Sequence, residues 1–287
     1  MIPFELVEPQ SLREAIGLLD PDDAAVRAIA GGTAVMLMMK AGVFRPRRLV
    51  SLRAIERRFS GVETGPGGEL RIGAMTPLAV LERSGVVRRE WPVIARTLLT
   101  LSNVRVRNVA TVGGHLAHAD PHMDLPPVLS ALGARVTIAG PAGERTVPVE
   151  SLGTGYYETV LRRNELITTL TVPPQGRKRA AYLKCTTRSA DDWPALGVAV
   201  ALDMDGAAIR DAVVVISAAT DKPTRLAAAE AALRGGSVDE ATLRRASEAA
   251  ADGLDIVGDA HGSASYKKQL LRVYLGRAVR AAAKGAA

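Results

Sequence analysis

The stretch Leu101–Asp124, LSNVRVRNVATVGGHLAHADPHMD, decides how this chain is read. It gathers two arginines (Arg105 and Arg107), a Thr-Val-Gly-Gly run, three of the protein's four histidines and two aspartates. Thr111-Val112-Gly113-Gly114 reads as a strand breaking into a tight turn. Two glycines without Cβ atoms let a ligand come close to the backbone. A hydroxyl before such a turn and bare amides after it suit a phosphate or diphosphate. An earlier segment, Ala30-Gly31-Gly32-Thr33-Ala34, repeats the same chemistry between an apolar strand and a helix-like run. The pair suggests two walls around one diphosphate.

Working outward, 287 residues exceed what one core usually organises, and two or three subdomains are expected. Apolar residues at 47% and charged residues at 23% describe a globular chain with ample core material. The net charge is +7, but the basic clusters, such as Arg45-Arg47-Arg48 and Arg177-Lys178-Arg179, are short and lack interleaved aromatics. That distribution argues against nucleic-acid binding and for a solvated surface or an acidic partner. The single cysteine, Cys185, excludes an intrachain disulfide and any iron–sulfur cluster held by this chain's cysteines alone. No secretory signal and no long charge-free apolar run is present, so a cytoplasmic protein without a membrane span is expected.

Ser11 and Glu14 form a capping-box pattern at the start of a short helix. A strand at 25–30, the first glycine turn, a helix from Val35 and a strand at 48–52 then make a small α/β unit. Gly65-Pro66-Gly67-Gly68 marks a hairpin, and Thr76-Pro77 opens a helix with Thr76 as its N-cap. Leu166–Val172 is a strand closed by Pro173-Pro174, which with the basic stretch after it is the main domain boundary. Beyond it, strands precede alanine-rich helices, as in an α+β domain. The expected domains are 1–176, with subdomains of about 1–55 and 56–176, and 177–287.

Three readings of the central stretch stand side by side on spacing alone. One is a glycine-rich loop with incidental histidines. A second is a metal site drawn from His115, His118, Asp120, His122 and Asp124, against which Pro121, Pro126 and the irregular spacing speak. The third is diphosphate binding, although neither G-x-G-x-x-G nor a Walker loop occurs.

The segments AGGTAVMLMMK (30–40), RIGAMTPLAVLE (71–82), VRVRNVATVGGHLAHADPHMDLPPVLSALGA (104–134) and KCTTRSADDW (184–193) resemble, in this order, the FAD-binding medium subunit of molybdenum hydroxylases, the carbon monoxide dehydrogenase and xanthine dehydrogenase family. The resemblance implies an α+β fold. A two-part FAD-binding region of the vanillyl-alcohol-oxidase type precedes a smaller C-terminal domain of antiparallel sheet plus helices. It implies FAD as the cofactor, with Ala30, Gly31, Gly32, Thr33 and Ala34 wrapping the pyrophosphate and Thr111, Val112, Gly113, Gly114 and His115 forming the second wall. Leu101 then lies near the adenine, Asp124 accepts from FAD hydroxyls, and Ile167 and Thr168 edge the isoalloxazine. Lys184 approaches the flavin and Trp193 flanks it. Ala34 and His115 depart from the family pattern, which often has a polar or acidic residue and an asparagine there.

The implied role is electron relay. A large subunit carries the molybdenum–pterin centre, a small subunit carries two [2Fe–2S] clusters, and this chain's FAD passes electrons to an external acceptor. The implied assembly is a heterohexamer, a dimer of heterotrimers. A stand-alone FAD oxidoreductase, or a metal-binding or structural subunit without flavin, is the alternative.

Overall fold

A computed structural model describes residues 2–285. The chain opens with β1 (Glu5–Val7), α1 (Leu12–Leu18), β2 (Val26–Ile29), α2 (Thr33–Lys40) and β3 (Arg48–Ser51). These strands form a parallel sheet in the order β1-β3-β2, as the β-turn-α-β reading requires. The Ser11 hydroxyl accepts from the Glu14 amide, capping α1, while the Glu14 carboxylate accepts from the Gln10 amide at 2.8 Å. Leu12, Ala15, Val26, Val50 and Phe59 close a small core beneath this sheet.

The second subdomain runs through β4 (Val62–Thr64), β5 (Leu70–Gly73), α3 (Leu78–Arg83), α4 (Gly85–Glu90), α5 (Pro92–Thr100), α6 (Val104–Val109), α7 (Val112–His118) and α8 (Leu125–Ala131). It continues with β6 (Arg135–Gly140), β7 (Gly143–Pro148), the short pair β8 (Gly153–Gly155) and β9 (Glu158–Thr159), and β10 (Leu166–Val172). An antiparallel sheet of order β4-β5-β10-β6-β7 carries the helices on one face. Alternate β10 residues are buried, which fits the period-two reading of that strand.

Two local expectations are corrected. Thr76 does not cap α3, because its hydroxyl is spent on Gly61, accepting from the amide at 2.8 Å and donating to the carbonyl at 2.9 Å. The Thr-Val-Gly-Gly run is the start of α7, not a strand and turn. Thr111 caps that helix through the Gly114 amide, and α6 precedes it. The glycines serve helix-on-strand packing: a Cβ on Gly113 would lie 2.6 Å from the Cβ of Ala74, just past β5.

The C-terminal domain contains β11 (Arg179–Cys185), β12 (Leu196–Asp205), β13 (Ala208–Ser217), β14 (Thr224–Arg225), α9 (Ala227–Leu233), α10 (Glu240–Asp252) and α11 (Ala264–Ala283). Its antiparallel sheet is buried on both faces. Leu196, Val198, Val200 and Leu202 of β12 pack with the helices α9–α11. The alternate residues Ala199 and Ala201 are small and join the core of the second subdomain, where α8 crosses the sheet. No helix among the described residues is long and apolar enough to cross a membrane.

Arg107 fixes the loop after α5. Its guanidinium pairs with Glu82 at 2.8 Å and donates to the carbonyls of Leu101 (3.1 Å) and Ser102 (2.5 Å), where Ser102 is left-handed at φ 52°. The two charged side chains are only 10% and 14% exposed. Arg107→Met therefore strands Glu82 and should cost about 3–5 kcal/mol in urea unfolding. A loss below about 1 kcal/mol would mark the pair as an ordinary surface contact.

Candidate functional site: a crevice between two glycine bends

The first bend is shaped by Gly31 and Gly32. Gly32 is left-handed at φ 78° and forms the N-cap of α2 with no side chain capping it. The first backbone bond into the helix runs from Met36 N to Gly32 O at 2.9 Å. Among the described residues no acceptor meets the amides of Thr33, Ala34 and Val35. Free amides at a helix start favour an anion. Gly31 lies so close to α6 that a Cβ would sit 2.1 Å from the carbonyl oxygen of Val109. A crevice of about 370 Å³ opens here, lined by Ala30, Gly31, Arg53, Asn108, Val109 and Thr111 among others.

The second bend faces the first. Gly114 is exposed, and a Cβ there would lie 3.7 Å from that of Ala30. Its amides are not bare. Val112 donates to Thr76 O, Gly113 to Ala74 O, and Gly114 to the Thr111 hydroxyl, at 3.0, 2.8 and 3.2 Å. The donors at this opening are thus concentrated on the α2 side, while the α7 side supplies a surface that a side chain would obstruct.

His115 follows in the first turn of α7. It is buried, and among the described residues its Nε2 has no hydrogen-bond partner. Burial drives its pKa down to about 3, aided by His118 and opposed by Asp120. The ring is therefore neutral and keeps an unsatisfied polar atom.

Asp124 and Lys184 bond to each other. The ammonium of Lys184 donates to Asp124 Oδ2 (3.0 Å) and to the carbonyls of Thr100 (2.7 Å) and Asp192 (3.0 Å). The Tyr182 hydroxyl donates to Asp124 Oδ1 at 2.6 Å. Burial pushes the Asp124 carboxyl above its usual range, against the opposing pull of Lys184 and Tyr182. This knot joins the loop before α8 to β11 and reaches the last residue of α5, Thr100, next to the buried Leu101. Ile167 and Thr168 sit on β10 where its register with β6 shifts, and Thr168 is buried with its hydroxyl donating to Thr137 O at 3.2 Å. Trp193 is half exposed and lies against the His122 ring, 6.0 Å between centroids and 27° between planes.

The histidine cluster does not assemble as a metal site: among the described residues no three His, Cys, Asp or Glu side chains converge as a ligand set. His122 instead lies between Asp120 and Asp259, and Asp259 also receives Lys267. Asp259, Lys267 and Tyr157 escaped sequence reading, since Asp259 lies 137 residues from its histidine. A lysine at an otherwise apolar helix position is the one signal that was available.

Residues 2–175 match the family described as the FAD binding domain in molybdopterin dehydrogenase, and residues 181–282 match the CO dehydrogenase flavoprotein C-terminal domain. The chain belongs to this family: it is an FAD-binding medium subunit of the molybdenum hydroxylase type. It is 31% identical to the carbon monoxide dehydrogenase medium chain of Afipia carboxidovorans, over 97% of each chain. It is 30% identical to the nicotine 6-hydroxylase medium subunit of Paenarthrobacter nicotinovorans, over 94% of each. Carbon monoxide dehydrogenase from Hydrogenophaga pseudoflava superposes over the full length of both chains with a TM-score of 0.94 at 31% identity. The fold is accordingly the expected α+β arrangement, a two-part FAD-binding region followed by a domain built on an antiparallel sheet.

The depressed His115 pKa has a stability consequence. The unfolded chain takes up the histidine proton near the ordinary 6.5 while the folded chain refuses it until about 3, so stability is full above 6.5 and falls as pH drops. The slope approaches about 1.4 kcal/mol per pH unit from this group. His115→Asn should flatten the acid limb of a stability–pH curve from urea unfolding. Superimposable limbs would show that His115 protonates freely in the folded protein.

Proposed function

We propose that this chain carries FAD between the two glycine bends and acts as the outlet of a molybdenum hydroxylase, taking electrons from an iron–sulfur partner and delivering them to an external acceptor. The observation that carries the reading is the approach of the two bends: among the described residues three amides at the start of α2 have no acceptor, and the bend that leads into them meets the second bend where a Cβ on Gly114 would lie 3.7 Å from that of Ala30. This arrangement binds a diphosphate with backbone donors and fits FAD. His115, the next residue along the chain, buries a further polar atom, Nε2, that has no partner among the described residues.

Bound FAD supplies a redox centre able to exchange electrons one or two at a time. The chain's own residues do the rest. Thr33, Ala34 and Val35 hold the diphosphate through their amides, Thr111 and Gly114 close its other side, and Leu101 supports the adenine end. Thr168 and Ile167 edge the ring system, Trp193 flanks it, and Lys184, oriented by three oxygen partners, keeps a fixed positive charge nearby. With Cys185 as the only cysteine, the clusters belong to another polypeptide. Large and small subunits follow from the medium-chain designation of the relatives. We infer a cytoplasmic dimer of heterotrimers as the assembly, on the resemblance to the family.

Gly114→Val tests the reading. Its Cβ lies 3.0 Å from the Thr111 hydroxyl and 3.7 Å from the Cβ of Ala30, so the purified variant should lose its yellow flavin absorbance and its dye reduction in the reconstituted complex while retaining the wild-type circular dichroism. A fully flavinylated, active variant would contradict the proposed seat.

A further inference from the structure

The loop between α7 and α8 carries a second polar cluster that diphosphate binding does not require. His122 Nδ1 lies 3.1 Å from Asp120 Oδ1, and His122 Nε2 lies 2.7 Å from Asp259 Oδ2. A neutral imidazole has one N–H, whereas a carboxylate at each nitrogen calls for two. The arrangement is therefore satisfied by the imidazolium. Each carboxylate is also fixed from behind. Asp120 accepts from the Tyr157 hydroxyl and the His122 amide, both at 2.9 Å. Asp259 accepts from Lys267 at 2.5 Å, and Lys267 is wholly buried, donating also to Ala218 O. Two carboxylates thus meet two cations, leaving the cluster neutral.

The cluster spans the domain junction. Asp120 and His122 follow α7, whereas Asp259 and Lys267 belong to the C-terminal domain, and the Ala218 amide donates to Pro121 O at 2.8 Å between them. Trp193, 53% exposed, rests on the His122 ring. His261 lies 5.1 Å from that ring, and His118 lies 5.1 Å from the ring of Tyr157.

We propose that His122 is a positioning residue for the flavin site: as an imidazolium gripped by Asp120 and Asp259 across the domain junction, it is the platform that holds Trp193 in place, and loss of its proton releases Trp193. The consequence for the cofactor rests on the FAD reading above, but the clamp itself does not.

Electrostatics agree with the geometry. Burial alone would lower the His122 pKa, yet Asp120 and Asp259 outweigh it and hold the group above its ordinary value. Burial would raise Asp259, but Lys267 and His122 bring it to about 2. Tyr157 is raised by burial and by Asp120, so its hydroxyl remains a donor. Because the folded His122 pKa is raised, the clamp is complete below about 6.5 and is lost as pH climbs through the folded value. An indole stacked on a cationic ring gains a cation–π contribution that the neutral ring does not give.

Trp193 fluorescence in flavin-free protein reads the clamp directly, since a protonated imidazole in contact quenches indole emission. The Trp193 signal is the difference between the chain and its Trp193→Phe variant, which removes the contribution of Trp91. It should rise with pH through a midpoint above that of ordinary histidine. His122→Gln should abolish the transition, His261→Gln should retain it, and Asp259→Asn should move it to lower pH. Should His122→Gln fail to fold, the Asp259→Asn shift decides the matter. A pH-independent signal, a transition that survives His122→Gln, or an unmoved midpoint in Asp259→Asn would overturn the clamp. Repeating the titration on FAD-loaded protein should give a flavin fluorescence change with the same midpoint. Failure to take up FAD would count against the flavin seat alone, because the flavin-free titration is unaffected by it.

Discussion

The approach of Gly31 to the carbonyl of Val109 is the constraint from which the site follows. At that point the backbone of the small parallel unit touches the backbone of the second subdomain, with no room even for a methyl group. The contact brings the start of α2, with its unclaimed amides, opposite the first turn of α7. Helix α7 is itself pressed onto the end of β5 at Gly113, where a Cβ would collide with Ala74. Two close backbone contacts therefore set the width of the crevice, and both depend on absent side chains. Interiors this tightly packed transmit a one-carbon change into displacement of a whole element.

The C-terminal domain is joined to this frame by polar ties and by an apolar seam. The buried Lys184–Asp124 pair, with Tyr182 behind it, is one polar tie across the junction. The cluster of Asp120, His122, Asp259 and Lys267 is a second such tie. In the apolar seam β12 contributes its alanines to the core shared with α8 and its larger residues to the core of its own helices. Small residues on the shared face let the domains meet closely. The buried charges add little net stability but permit few alternative alignments, because any slip would leave a charge unpaired.

Much of this was legible in the order of residues. The β-turn-α-β unit was readable from apolar runs punctuated by Gly31-Gly32, and β10 from its alternation before Pro173-Pro174. The likeness of the two glycine bends is itself written in the sequence, in Gly31-Gly32-Thr33 and Thr111-Val112-Gly113-Gly114. The helical state of 112–118 could not, because two adjacent glycines argue against a helix locally. Capping by Thr111 and close packing on Ala74 override that preference. Thr76 looked like a cap until the fold brought Gly61 to its hydroxyl. The partner of His122 was invisible because nothing local marks Asp259 as its neighbour, and an unrelated-looking Lys267 completes the cluster from α11.

A comparison of FAD with FMN in the flavin-free protein tests the central claim most directly, since FMN has the isoalloxazine but lacks the diphosphate bridge and the adenosine half. If the two bends grip a diphosphate, calorimetry should show FAD binding at least about a hundredfold more tightly, a difference of roughly 2.7 kcal/mol. Equal affinity for the two flavins would mean that the ring system alone is recognised and that the glycine crevice holds nothing.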